Sequence, residues 1–288
     1  MKAMIVNADD FGYTRGVNAG IIRGFREGII TSTTIMANGR AFDDAVECAK
    51  ENPELGVGCH LVLVDGVSTE MANAVPSLAD AEGNLPATVG ILTTKLLAGA
   101  VRGEDIAREL RAQVTKVMNA GITPTHLDSH KHTHSHPRVM EQVVRVADEF
   151  GIHCVRNPFE RAGALVKSAF TDGWGSFKQS AKALLAGTAE PQFQKLVRTR
   201  GIRTPDHFWG VTATGRLNRE SILSVLESMQ EGVNELMCHP GEYDDELERS
   251  RTRLKRERET ELEALTDPSV REAIEQQGIK LMDYRGLN

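Results

Sequence analysis

Short β-branched runs, each followed by a helix-spaced apolar pattern, recur along the whole chain, and this alternation constrains its fold more than any other feature. AMIVNADD, TSTTIMAN, GVGCHLVLV, PTHLDS, HCVRNP, DHFWGVTAT and NELMCHPG read as strands, and IKLMDY as a short last one. Between them lie amphipathic helices. Thr14 caps one that carries Val17, Ile21, Ile22 and Phe25 and stops at Gly28. Others are AFDDAVECAKENP, the run with Ile106, Leu110, Val114 and Val117, a helix opened by Pro137 with Val139, Val143, Val146 and Phe150, and one from Asn218 to Glu231. Strand and helix in turn imply a parallel sheet with helices outside it. Seven or so such units in 288 residues suit an α/β single domain over 1–288, an irregular (β/α) TIM-like barrel of the glycoside hydrolase or deacetylase type. No GxGxxG follows the first strand, which argues against a doubly wound dinucleotide fold. Between 159 and 203 the pattern blurs into short helices around AKALLAG and FQKLVRTRG, as expected for an insertion or lid.

Polar residues gather where the predicted strands end. Asp9 and Asp10, His60, the group from His126 to His130, Arg156 and His239 all sit at or just past C-terminal strand ends, the rim on which barrel enzymes build their sites. The segment THLDSHKHTHSHP alone holds five of the nine histidines. In an extended segment His126 and Asp128 share a face, with His130 just beyond the strand. Imidazole and carboxylate together point to a divalent metal, and a catalytic site with three protein ligands leaves at least two of the five histidines to other work. Adjacent strand residues point opposite ways, so Asp9 and Asp10 read as one base and one ligand, or else as a helix-capping turn. His239 has the placing of a general acid. His207 and Trp209 read either as a sugar-binding pair or as core. Cys59 and Cys238 read as small buried hydrophobes, and the Glu/Arg run from Asp244 to Glu263 as a solvated helix laced by i,i+4 pairs.

A net charge of -6 excludes a nucleic acid as the main partner, since phosphate binding needs clustered Lys and Arg. The four cysteines form no CxxC pair, so neither a zinc knuckle nor a disulfide framework is expected. No signal-peptide core and no membrane-length apolar window occur, which leads to the expectation of a cytoplasmic protein without an integral membrane segment.

The stretches IVNADDFG, GIITSTTIMANG, GVGCHLVLVDG, PTHLDSHKHTH and ELMCHPG, in this order, resemble the YdjC-like carbohydrate deacetylases, which include chitooligosaccharide and hopanoid-biosynthesis deacetylases. The resemblance spans nearly the whole chain. It implies one divalent metal and hydrolysis of N-acetyl groups on N-acetylglucosamine-containing carbohydrates, whether chitooligosaccharide or lipid-linked amino sugar. Carried over by residue, it makes Asp10, His60 and His130 metal ligands, Asp9 the base, His239 the acid and Arg156 the group that orients Asp9. His126 opens an HxxxH pair with His130 of the kind a distantly related deacetylase class uses whole; with Asp128, His207 and Trp209 it is assigned to substrate binding. The resemblance suggests Mg²⁺ and a homodimer, whereas two imidazoles and a carboxylate suit Zn²⁺ or Fe²⁺. Two other functions fit the residues: a metal-dependent phosphoesterase, which would need more carboxylates or a second metal, and a non-catalytic metal-binding protein.

Overall fold

The first strand, β1 (Lys2–Phe11), is buried from Ala3 to its end, as a run flanked on both faces must be. The computed structural model to which it belongs describes residues 1–160 and 189–287. Helix α1 (Arg15–Glu27) follows, and its Thr14 hydroxyl accepts the Val17 N–H at 3.2 Å, the cap read from the sequence. The order continues with β2 (Ser32–Ile35), α2 (Phe42–Glu51), β3 (Gly56–Leu61), α3 (Val89–Leu97), α4 (Gly103–Asn119), β4 (Leu127–Ser129) and α5 (Pro137–Glu149). Past the undescribed residues come α6 (Glu190–Thr199), β5 (His207–Trp209), α7 (Arg219–Ser228), β6 (Gly232–Cys238), α8 (Asp245–Arg249), α9 (Glu257–Thr266), α10 (Pro268–Gln276) and β7 (Lys280–Leu281).

Among the described residues every ladder is parallel, in the order β4-β3-β2-β1-β6-β5, with β7 paired to the start of β1. Single bridges from Leu127 to Val155 and from Cys154 to Arg203 continue the curl beyond β4. The expected α/β single domain is present, and its parallel sheet curls as a half-barrel, consistent with an irregular (β/α) barrel-like fold but not a closed TIM barrel. HCVRNP makes isolated bridges in place of a full strand, and IKLMDY contributes only two strand residues at the far end of β1.

Register decides what meets at the rim. Ala8 pairs with Cys238 and His60 with Asp128, so the residues that follow these pairs emerge at one end of the sheet. Most of the expected insertion, 161–188, lies outside the described residues, AKALLAG included. Its flanks pack on the body, where the Phe159 ring meets that of Phe193 in α6 edge-on at 5.6 Å. The charged run also differs from its expected form. It is two helices, α8 and α9, and two of its charges, Arg258 and Glu261, are buried. No helix among the described residues is long and apolar enough to cross a membrane.

Candidate active site

Asp10 sits at a break in β1. Its φ of 70° is in the left-handed region, and the β1–β2 register slips between Ala8 and Phe11, so Asp10 does not alternate away from Asp9 as an ideal strand would require. Both carboxylates reach the C-terminal mouth of the sheet, each with its own partners. Oδ1 of Asp10 lies 3.5 Å from His60 Nε2 and 3.2 Å from His130 Nδ1, and the two imidazole nitrogens are 3.3 Å apart. Oδ1 is buried and accepts no well-aligned hydrogen bond. This carboxylate oxygen and two imidazole nitrogens, the latter within hydrogen-bond distance of each other, converge closely enough to hold a divalent cation with an open position. Burial alone would raise the Asp10 carboxyl, but Arg258, His130 and His60 hold it well below the usual carboxylate range.

His60 is oriented from behind. Its Nδ1 donates to Asp128 Oδ1 at 2.8 Å, which leaves Nε2 to face Asp10, the arrangement that positions a metal-binding imidazole. Burial pulls this ring down, yet Asp128 wins and pushes it up to about 9. Thr34, from the middle of β2, donates its hydroxyl to Asp128 Oδ2 at 3.1 Å. The same Oδ2 meets Arg156 Nη1 at 2.6 Å.

Arg156 is fully buried and binds three carboxylates. Nη1 and Nη2 donate to Asp9 Oδ2 and Oδ1 at 2.8 and 2.7 Å, and Nε donates to Glu235 Oε1 at 2.7 Å. The Glu235 Oε2 atom takes the Tyr284 hydroxyl at 2.5 Å. Burial raises Asp9, but Arg156 outweighs it and keeps the carboxyl below its ordinary value. Asp9, His60 and Asp128 form a second cluster of metal-ligand type, but its two carboxylates already share a cation, the guanidinium.

The remaining predicted residues separate by depth and by face. His126 is fully buried, stacked on Tyr284 with ring centroids 3.5 Å apart, and closely approached by Gly58. Burial pushes it down to about 3, so it is a neutral ring beneath the ligand group and has no access to a substrate. Asp128 likewise is buried and supports His60 and Arg156. His207 pairs with Asn234, toward the start of β6, and the Trp209 indole donates to Asn234 Oδ1 at 3.1 Å. Neither joins the group at the mouth. The residue between them does face inward: the Phe208 ring lies 5.4 Å from the Arg156 guanidinium and 5.6 Å from the His132 ring. His134 is buried and bonded to Ser129 Oγ at 2.5 Å, and His136 caps α5. His239 is neutral, pushed down to about 4 by burial, and its main-chain N–H donates to Glu261 Oε2 at 2.5 Å.

Thr34, Phe208, Glu235, Arg258 and Glu261 were not singled out from the sequence. A glutamate followed by Leu, Met and Cys in a buried strand is a signal that could have flagged Glu235; Thr34 is one of three consecutive hydroxyl residues in β2 and carries no such contrast, and Arg258 and Glu261 are masked by the charges around them.

The sequence profile of the YdjC-like protein family matches residues 3–276. A protein of Brevibacillus brevis named carbohydrate deacetylase is 36% identical over 99% of both chains, and a chitooligosaccharide deacetylase of Yersinia enterocolitica is 35% identical over 98% of both. A solved structure from Enterococcus faecalis, by name a candidate cellobiose-phosphate cleavage protein, superposes with a TM-score of 0.81 at 29% identity and covers 99% of this chain and 98% of its own. Agreement of this extent in sequence and in fold has one reading: the chain belongs to the YdjC-like protein family.

Proposed function

We propose that this chain is a hydrolase that removes N-acetyl groups from N-acetylglucosamine-containing carbohydrates, with one divalent ion held by Asp10, His60 and His130. What carries the reading is the unpartnered Asp10 Oδ1 facing two imidazole nitrogens beside an arginine-held Asp9, in a chain whose full-length relatives are named carbohydrate deacetylases. When bound, the ion would supply polarisation of the acetyl carbonyl and a water of lowered pKa, toward about 7. Asp9 does the proton work. Arg156 keeps it ionised and fixes its plane through two contacts, so it can take a proton from the attacking water. His239 follows Cys238, which pairs with Ala8, next in register to Asp9; its neutral ring can take up the proton that Asp9 removes from water and pass it to the leaving nitrogen, which restores both groups. The hydroxyl of water ends on the acetyl carbon and its proton on the amine, yielding acetate and a free amino sugar.

The donor set favours Zn²⁺ or Fe²⁺, and the family resemblance favours Mg²⁺. The Yersinia relative's name supports a chitooligosaccharide over a lipid-linked sugar as substrate. A homodimer belongs to the same reading by resemblance alone.

The test is acetate release from N-acetylated chitobiose, longer chitooligosaccharides and N-acetylglucosaminyl lipids, with metal-stripped protein before and after addition of Zn²⁺, Fe²⁺ or Mg²⁺. Metal-dependent release that vanishes in Asp9→Asn, with metal binding intact, is the expected result. Cleavage of phosphate esters alone would favour the phosphoesterase. Metal binding without any turnover would leave the non-catalytic protein.

A further inference from the structure

Arg258 enters the site from α9, inside the charged run that reads from sequence as solvated. It is 1% exposed, and Asp10 is its ion-pair partner: Nη2 donates to Asp10 Oδ2 at 2.6 Å. The guanidinium is fixed in place. Its Nε donates to the Leu254 carbonyl at 3.4 Å, it lies 5.8 Å from the centroid of the Tyr13 ring, and its stem packs on Gly241, where an added Cβ would stand 3.2 Å from Arg258 Cδ. The two oxygens of Asp10 thus have different surroundings. Oδ2 is occupied by a cation, while Oδ1 alone faces His60 and His130.

We propose that Arg258 is a positioning residue that confines Asp10 to a one-oxygen contact with the metal ion. This inference rests on the metal-site reading above. A carboxylate able to turn freely binds a cation through one oxygen or both, and a charged donor on the second oxygen removes the two-oxygen mode. The guanidinium also repels the cation, so the arrangement gives up affinity for a fixed geometry and a free coordination position. The left-handed backbone at Asp10 holds the carboxylate from the other end.

The test uses Co²⁺ as a spectroscopic probe in the full chain. Wild type should bind one Co²⁺, and its X-ray absorption or crystal structure should show Asp10 with one oxygen on the ion and the other on Arg258. In Arg258→Met the visible d–d bands should weaken as a second oxygen raises the coordination number, and Co²⁺ should bind at least fivefold tighter by calorimetry. Arg258→Lys, which keeps the charge, should restore the wild-type spectrum. Failure of wild type to bind Co²⁺ stoichiometrically would overturn the metal site itself. Binding with both Asp10 oxygens on the ion in wild type, or an unchanged spectrum and affinity in folded Arg258→Met, would overturn the role of Arg258 and leave the metal site standing. The wild-type measurement decides the matter even if the methionine variant does not fold.

Discussion

Replacing Arg156 with Met removes the guanidinium shared by Asp9, Asp128 and Glu235 while keeping most of its apolar stem. Four contacts of 2.6 to 2.8 Å are lost around a guanidinium that is fully buried. Breaking one buried ion pair by deleting a partner costs about 3–5 kcal/mol, because the remaining charge stays buried without compensation. Three carboxylates share this arginine, so that range is the lower bound expected here. Against a typical total stability of about 5–15 kcal/mol, the variant becomes marginal. At roughly 2–4 °C per kcal/mol for a chain of this order of size, melting should fall by about 10 °C or more. Arg156→Lys keeps the charge but cannot span the three partners, and should fall between the two. Urea titrations followed by circular dichroism, on metal-free proteins at neutral pH, measure the difference. The pH dependence is a second check. Burial raises Glu235 to about 7 even with Arg156 present. A carboxyl raised in the native state supports folding below its unfolded pKa and loses that contribution as pH climbs through about 7. Asp9 and Asp128, held low in wild type, keep their contribution until pH drops below the ordinary carboxylate range. Without Arg156 to lower it, Glu235 rises further, so the deficit of Arg156→Met should narrow as pH falls toward about 7, where the variant has bound the Glu235 proton before wild type does. A loss below about 1 kcal/mol, or a deficit that widens on acidification, would refute the electrostatic account.

Other outcomes follow from the same geometry. His130→Ala should lose most metal affinity, whereas His126→Phe should bind metal within about twofold of wild type, because His126 is a buried neutral ring on Tyr284; equilibrium dialysis distinguishes them. Gly58→Ala would place a Cβ 2.5 Å from the His126 ring and 2.7 Å from its carbonyl oxygen, so a destabilisation of about 1–3 kcal/mol is expected in thermal melts. Tyr284→Phe leaves Glu235 Oε2 buried without its donor at 2.5 Å and should cost about 1–3 kcal/mol, with no change in metal stoichiometry.

Much of the architecture was readable before any coordinates. Sequence pattern located β1, β2, β3 and β6, short runs buried on both faces, and the helices capped by Thr14 and opened by Pro137, which bury one regular face. It failed at HCVRNP and IKLMDY, where short apolar runs meet the sheet at a few points only and local pattern cannot distinguish a bridge from a ladder. On DHFWG, period two was visible but its phase was not. The structure turns Phe208 inward and leaves Trp209 against Asn234, because the packing of β5 on β6 decides which face is which.

The residues of the candidate site are visible locally: Asp9, Asp10, His60, His130 and His239 all lie at or just past strand ends that the sequence alone marks out, since parallel topology sends every such end to one rim. Their division of labour is not local. Which histidine of the HLDSH segment faces Asp10 and which lies on Tyr284 depends on depth within the curled sheet. Whether Asp10 turns away from Asp9 depends on a left-handed residue that no propensity forces on an aspartate. Whether an arginine in a run of surface-like charge becomes the partner of Asp10 depends on a helix that arrives 248 residues later in the chain. A buried charge must find its opposite in three dimensions, and sequence spacing carries no information about which opposite that will be.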